Sequence, residues 1–428
     1  MRLSIVSGSI TDLVRRYFTG LGSRYLFKAA GAIHLPSIST SDLYIHIPFC
    51  KSMCPYCPYN KVEYDKTLAK PYLKAILTEI KQYHNRLGRI EVPSIYVGGG
   101  TPTNLIDELG IIIEIIRDNF TVSGDLYIET TPSDINDETL GKLLRYGFSL
   151  ISLGVQSFNE GYLKLIGRNY TAGILYPAIS KVMSAGFKTV NVDLMFALPG
   201  QTIKEAISDI KRAIELGVDQ ITTYPLFTFP YSTVGKYLKL KSVKMPGIVI
   251  RRRMYKAIHD YCVANGFRRV SVWGFKRGDL PRYSSVTRES YIGLGAGAAS
   301  YLPGVFYFNT FSVSEYIKAS LAQRLPVALK MEVSESMAMY YWLYWRFYDT
   351  YIPKRRLREL FGSRDKKIRR LLVLAKTLGL CVQDEEHISL TERGAFWLHL
   401  MQNYFILNYI NKVWSLAMKE PWPERVEI

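Results

Sequence analysis

The chain has 428 residues, 48% of them hydrophobic and 21% charged, which excludes a disordered or fibrous polypeptide and leaves room for one large domain with an appendage or for two domains. Its formal net charge of +18 calls for an anionic counterpart, whether a polyanion, an anionic lipid headgroup or a carboxylate-bearing substrate. Nucleic acid is not expected, because no nucleic-acid-binding motif accompanies the charge. Five cysteines, an odd number with three of them clustered, exclude a disulfide framework and favour a reducing cytoplasm and a metal.

The N-terminal stretch "MRLSIVSGSITDLVRRYFTG" has no sustained apolar region and no cleavage site, and no run of about 18 apolar residues occurs anywhere. Neither export nor a transmembrane helix is expected. Ile10, Leu13, Val14, Tyr17 and Phe18 share one face of a helix whose other side carries Arg15 and Arg16. A docked helix is the plain reading and a membrane-surface anchor the alternative, so the expected place is the cytoplasm, with or without a peripheral membrane contact.

From Leu43 to about Leu226 a short β-rich run followed by a helical pattern repeats. The predicted strands are "LYIHI" (Leu43 to Ile47), "SIYV" (Ser94 to Val97), "LYIET" (Leu126 to Thr130), "SLISL" (Ser149 to Leu153), "TVNVDL" (Thr189 to Leu194) and "DQITTY" (Asp219 to Tyr224). Between them lie helical patterns such as "KPYLKAILTEIKQYHNRL" and "IKEAISDIKRAIELG", the second closed by glycine. Six successive βα units make an α/β fold with a parallel sheet curved into a partial or complete barrel, whose chemistry sits at the carboxyl ends of the strands. All the conspicuous motifs fall there. Cysteines follow strand one, "GGGTPT" follows strand two, Glu129 closes strand three, "GVQS" follows strand four and Asp193 ends strand five.

Beyond Pro246 the pattern loosens, with a helix near Arg251 to Asn265 and a turn-rich "YIGLGAGAAS". No acidic residue lies between Asp219 and Asp260, while Lys236, Lys239, Lys241, Lys244, Arg251, Arg252, Arg253 and Lys256 are basic; such a stretch is either a solvated surface or an anion-attracting patch. From about Met331 the composition changes: an aromatic helix, further helices and a short β pair resemble a winged-helix-like module. The expected division is an extension over 1–42, a barrel domain with an accessory segment over 43–330 and the helical module over 331–428. The aromatic segment from Tyr340 to Tyr351 reads first as core and second as a cover for an apolar ligand.

The stretch "YIHIPFCKSMCPYCPYNK" spaces Cys50, Cys54 and Cys57 as C-x3-C-x2-C. A structural zinc site would need a fourth ligand, and neither Cys262 nor Cys381 has a partner at metal-ligand spacing; His46 alternates along a strand and does not point dependably at the thiols. Three thiolates suit a 4Fe-4S cluster with one iron left open to bind a substrate or cofactor.

This motif, with Tyr56 before its last cysteine and "GGGTPT" downstream, resembles the radical S-adenosylmethionine (SAM) superfamily. The longer strings "YIHIPFC", "CPYC", "NK", "VGGGTPT", "GVQSFNEGYLKLIGR", "VNVDLMFALPGQT" and "YIGLGAGAAS" are similar to oxygen-independent coproporphyrinogen oxidase and its relatives, among them the radical SAM heme chaperone and the class C radical SAM methyltransferases. The resemblance covers about Leu43 to Phe311, and "ISLTERG" extends it into the C-terminal module. It implies that Cys50, Cys54 and Cys57 hold the cluster and that SAM binds its open iron. Gly98, Gly99, Gly100 and Thr101 would approach the methionyl part, and Arg168 would pair with the SAM carboxylate. Glu129, Gln156 and Asp193 would make polar contacts to ribose or amine, and Tyr44 and Tyr56 would support the sulfonium and adenine. An external electron donor of flavodoxin or ferredoxin type is implied as well.

Two departures shape the choice of substrate. Coproporphyrinogen oxidase has a further cysteine two positions after the cluster motif, where this chain has Tyr59; the chaperones carry a Tyr-Glu-x-Ser-Asn string where this chain has "FRRVSVWGF". The leading expectation is therefore radical SAM modification of a flat, unsaturated ring, a tetrapyrrole or an aromatic ring such as a quinone, by methyl transfer with two SAM molecules. The alternatives are coproporphyrinogen decarboxylation and a heme-binding chaperone, the last adding heme as a cofactor.

Overall fold

The computed structural model describes residue 11, residues 25–227, 229, 232, 245–284, 289–362 and 365–428. The expected amphipathic N-terminal helix and the lysines at 236–244 lie outside these residues.

Six parallel strands follow one another as expected: β1 (Asp42–Ile47), β2 (Ile95–Gly99), β3 (Leu126–Thr130), β4 (Phe148–Gln156), β5 (Thr189–Phe196) and β6 (Gln220–Pro225). Each pairs with the next in chain order. Strands such as β4, "FSLISLGVQ", are buried along almost their whole length, because a parallel strand is covered on both faces. Between them run the helices α1 (Lys66–Leu87), α2 (Ile106–Asn119), α3 (Asp137–Tyr146), α4 (Leu175–Ser184) and α5 (Ile203–Glu215). Local chemistry sets their ends. Asp65 caps α1 by accepting from Thr67 N at 2.7 Å, Thr202 and Glu205 form a reciprocal capping box at α5, and Gly217 follows α5 with φ +82°.

The barrel is partial. β1 continues into the strand Tyr291–Leu294 and β6 into Gly274–Arg277, so the six strands belong to one open 14-stranded sheet. In a flat sheet the first and last of six strands would stand about 24 Å apart. Here residues of β2 to β6 and of the loop after β1 line one cavity, so the sheet curls around it.

The strand Leu26–Ala29 pairs with Val327–Glu332 and with the C-terminal strand Arg425–Glu427, which ties part of the segment before the barrel into the same sheet. The C-terminal module contains α6 (Glu335–Tyr348), α7 (Lys354–Phe361) and α8 (Asp365–Thr377) with a three-stranded sheet, the order of a winged helix. Met339, Trp342, Leu343, Ile352, Leu357, Phe361 and Ile368 form its own core, so the aromatic helix is mainly packing, as first expected. The following helix α9 (Glu392–Phe405) buries Ala395, Phe396 and Leu400 in the barrel's core. Cys381 and Cys262 are buried in the module's core and the barrel's core respectively.

Candidate functional site

At the carboxyl ends of the strands lies a cavity of about 300 Å³. Of the residues expected in the site, Cys50, Cys54, Tyr56, Cys57, Gly99, Gly100, Thr101, Glu129, Gln156, Arg168 and Asp193 all line it. Tyr44 and Gly98 do not: Tyr44 bonds His46, which is also outside the lining, and Gly98 makes room for Glu129, which lines it.

The loop after β1 is held by contacts that account for the whole string from Tyr44 to Lys61. His46 Nε2 lies 2.8 Å from the Asn60 carbonyl, which accepts only, so this nitrogen carries the hydrogen. Burial pushes the His46 pKa down to about 4, so the ring is neutral and its Nδ1 accepts from Tyr44 Oη at 2.7 Å. Both ring nitrogens are thus engaged, and His46 is no cluster ligand. Asn60 Nδ2 donates to Ala296 O and Phe311 O at 3.1 and 2.9 Å, which brings "NK" against the "GLGAG" turn. Lys61 Nζ reaches back to Cys57 O at 2.7 Å.

The glycine run meets protein atoms on every side. A Cβ on Gly100 would stand 2.8 Å from Cys50 Sγ, and one on Gly98 would stand 2.8 Å from Glu129 Oε2. Gly99 has φ +120°, a conformation that side chains rarely adopt. The run therefore lets β2 come up against the thiol loop and the Glu129 carboxylate. Gln156 is a non-glycine residue with φ +69°, next to a register shift in the β4–β5 pairing. This strained turn puts its side chain into the cavity, where its Oε1 accepts from Tyr224 Oη at 2.7 Å.

The charged groups are prepared for ligands. Arg168 holds its guanidinium 5.7 Å from the Tyr56 ring centre and 5.5 Å from that of Tyr170, and its Nε is buried without a hydrogen-bond partner. Such an orphaned donor fits an incoming carboxylate. Asp193 accepts from Asn191 Nδ2 at 3.0 Å and Ser152 Oγ at 3.2 Å; burial, then the nearby Glu129 charge, raise its pKa to about 7. Burial likewise raises Glu129.

The three thiols are free. Burial pushes Cys50 up to about 11, with Cys57 adding to the effect, so a positive metal centre is what would hold them as thiolates. Among the described residues no three His, Cys, Asp or Glu side chains converge on a single metal ion. A cubane does not require that, since each thiolate binds a different iron. Three thiols at one cavity, with an unpartnered arginine donor across it, fit a cluster and a carboxylate-bearing cofactor.

Motif reading missed a second set of lining residues: Tyr96, Phe227, Trp273, Arg282, Tyr283 and Tyr348. Tyr96 stands two residues before Gly98, and only its place near "GGG" marks it. Trp273, Arg282 and Tyr283 sit in a stretch without periodicity. Tyr348 is the one part of the aromatic segment's second reading that the structure realises, reaching the cavity from the end of α6.

A family model of the radical SAM superfamily matches residues 44–213. The heme chaperone HemW of Lactococcus lactis subsp. lactis is 31% identical over 290 residues, 66% of this chain and 76% of that protein. The heme chaperone HemW of Bacillus subtilis is 28% identical over 360 residues, covering 82% and 95%. The oxygen-independent coproporphyrinogen III oxidase of Escherichia coli is 26% identical over 294 residues, 64% of each. The solved coproporphyrinogen III oxidase (HemN) of Escherichia coli shares the fold, with a TM-score of 0.75 at 21% identity over 93% of this chain and 98% of that one. The cluster motif, the curled βα sheet and these relatives together make the chain a member of the radical SAM superfamily, in the family that contains coproporphyrinogen III oxidase and the heme chaperone HemW.

Proposed function

We propose that this chain is a heme-handling radical SAM protein of the chaperone kind, with a 4Fe-4S cluster on Cys50, Cys54 and Cys57 and SAM held by Arg168, Glu129 and the glycine run. The observation that carries it is Tyr59. It stands where coproporphyrinogen oxidase has a further cysteine, lines the cavity and packs its ring 5.9 Å from that of Trp414. With Phe227, Trp273, Tyr283 and Tyr348 it gives part of the cavity wall an aromatic face, which suits a flat macrocycle. The relatives support this reading: sequence alignments to heme chaperones span up to 99% of their length, against 64% for the oxidase, whose likeness over its full length is one of fold. Methyl transfer, the leading expectation from sequence, gains no support from them, and the alternatives stand ahead of it.

When bound, the cluster and SAM supply radical chemistry driven by one electron from an external donor of flavodoxin or ferredoxin type. The protein's own part is to orient and exclude water: Arg168 pairs the carboxylate, Asp193 and Gln156 offer polar contacts, and the aromatic wall keeps the space apolar. No histidine is among the described cavity residues; Tyr59 would hold a heme iron through its phenol, with the Met195 thioether as another protein donor in the lining.

The test is an anaerobic titration of reconstituted protein with heme, followed by visible absorption, beside incubation with SAM, reductant and coproporphyrinogen. Stoichiometric heme binding that weakens in Tyr59→Phe, with the porphyrinogen unchanged, is the expected result. Release of carbon dioxide from the porphyrinogen would replace this reading by decarboxylation, and S-adenosylhomocysteine would revive methyl transfer.

A further inference from the structure

The cavity runs down towards the starting ends of the strands, where Gln220, Arg282 and Tyr283 line it. Thr189, the first residue of β5, donates its hydroxyl to Pro281 O at 2.6 Å. Gln220, the first residue of β6, clamps Tyr283 from both sides. Its Oε1 accepts from Tyr283 N at 3.0 Å and its Nε2 donates to Tyr283 O at 2.9 Å. Next door, Arg282 Nη1 donates to Asp349 Oδ1 at 2.7 Å, at the end of α6. The backbone of Tyr283 is therefore pinned to the barrel and, through its neighbour, to the C-terminal module.

From that fixed point a hydrogen-bond chain rises into the cavity. Tyr283 Oη donates to Tyr96 Oη at 2.9 Å, and Tyr96 Oη donates to Glu129 Oε1 at 2.5 Å. Glu129 Oε2 accepts from Gly99 N at 3.2 Å. Because Tyr96 has one hydrogen and spends it on the carboxylate, its oxygen is left to accept from Tyr283, which gives the chain a direction. The tyrosine rings leave the pair little freedom: Tyr283 packs 5.5 Å from Tyr96 and 5.7 Å from Tyr127, and both Tyr96 and Tyr283 are buried.

We propose that Tyr96 and Tyr283 are positioning residues that hold the Glu129 carboxylate aimed into the cavity, and that the Arg282–Asp349 pair makes the C-terminal module a support of that aim. The inference rests on the reading of the cavity as the SAM site. It assigns a role to the module that packing alone does not require, since the module has its own core.

A double-mutant cycle tests it on the full-length, reconstituted protein, with SAM affinity measured by equilibrium binding under anaerobic conditions at several pH values. Iron content and melting temperature are followed alongside. Glu129→Gln is expected to weaken SAM binding. Tyr96→Phe is expected to weaken it about three- to tenfold and Tyr283→Phe by less, as for loss of a hydrogen bond to a charged group and to a neutral one. In the Glu129→Gln background, Tyr96→Phe should add less than about twofold, and its effect on the pH dependence should vanish. Equal losses in both backgrounds, or no loss from either tyrosine, would overturn the positioning role while leaving the cavity reading intact. An unchanged affinity in Glu129→Gln would overturn the cavity reading itself. Tyr283→Phe keeps the test informative if Tyr96→Phe melts early, because it removes only the more distant bond.

Discussion

The two ends of the barrel are built by different rules. At the carboxyl ends of β1 to β5 every cavity residue comes from a short contiguous motif, and neighbours within that motif do the local work: Lys61 steadies Cys57, Asn60 steadies His46, and the glycines admit Cys50 and Glu129. At the opposite end, and on the side covered by the C-terminal module, the cavity is lined by single residues from separate stretches, Gln220, Tyr283 and Tyr348, with Asp349 behind them holding Arg282. Chemistry that needs a cluster and a cofactor in contact demands short, stiff connections. Closure needs only bulk and a few bonds, and these can come from anywhere in the chain.

Breaking the motif end should abolish function while the fold survives. Cys54→Ala removes one of the three thiols proposed to hold the cluster, and SAM cleavage is expected to fall by more than about a hundredfold, since loss of a mere partner of a metal ligand costs about ten- to a hundredfold. Iron and sulfide analysis beside an unchanged far-ultraviolet circular dichroism spectrum checks it. Arg168→Ala should keep the cluster but weaken SAM binding by about ten- to a hundredfold, the cost of a charged hydrogen-bonded pair; equilibrium binding on reconstituted protein measures it. Retained affinity would remove Arg168 from the site.

Breaking the closure end should instead cost stability. Asp349 is 7% exposed and receives Arg282 at 2.7 Å and Arg346 at 3.0 Å. Asp349→Ala leaves both arginines without this partner and is expected to cost about 3 kcal/mol, read as a lower denaturation midpoint. An unchanged midpoint would mean that the module docks without this pair.

The smallest expected effect concerns Glu79 in α1, which accepts from Tyr316 Oη, Gly295 N and Asn309 Nδ2 at 2.6, 2.9 and 2.7 Å and so supports the "GLGAG" turn behind Asn60. Burial raises its pKa to about 7, outweighing these three bonds. A carboxyl raised on folding adds stability below its unfolded value near 4.5 and loses that contribution as pH rises towards 7. The stability of Glu79→Gln relative to the parent, read from denaturation midpoints, should therefore improve between pH 5 and pH 8 by about 2.5 kcal/mol. A pH-independent difference would refute the raised pKa.

The six strands were legible because short runs rich in β-branched and aromatic residues alternate with helical patterns; one of them, "TVNVDL", the structure extends only to Phe196. The cluster thiols, the glycine run, Glu129, Gln156, Arg168 and Asp193 were legible as well, since each sits at a strand end or within a motif. Tyr44 and Gly98 were expected at the ligand and fall outside the lining: Tyr44 bonds His46 and packs 6.1 Å from the Tyr96 ring, and the missing side chain of Gly98 makes room for Glu129.

By itself, then, the amino-acid sequence determined the barrel's repeat, the three thiols and the ring of polar groups around them, because all of these depend on periodicity or on spacing within about a dozen residues. Only the tertiary structure decided that the barrel stays open, that Arg282 and Tyr283 line the floor of its cavity, and that one tyrosine of an aromatic helix reaches the cavity while Trp342 and Leu343 fill the module's core. The reason is physical: a buried tyrosine has the same composition and local pattern whether it packs in a core or faces a ligand, and the difference lies in what the rest of the chain places beside its hydroxyl.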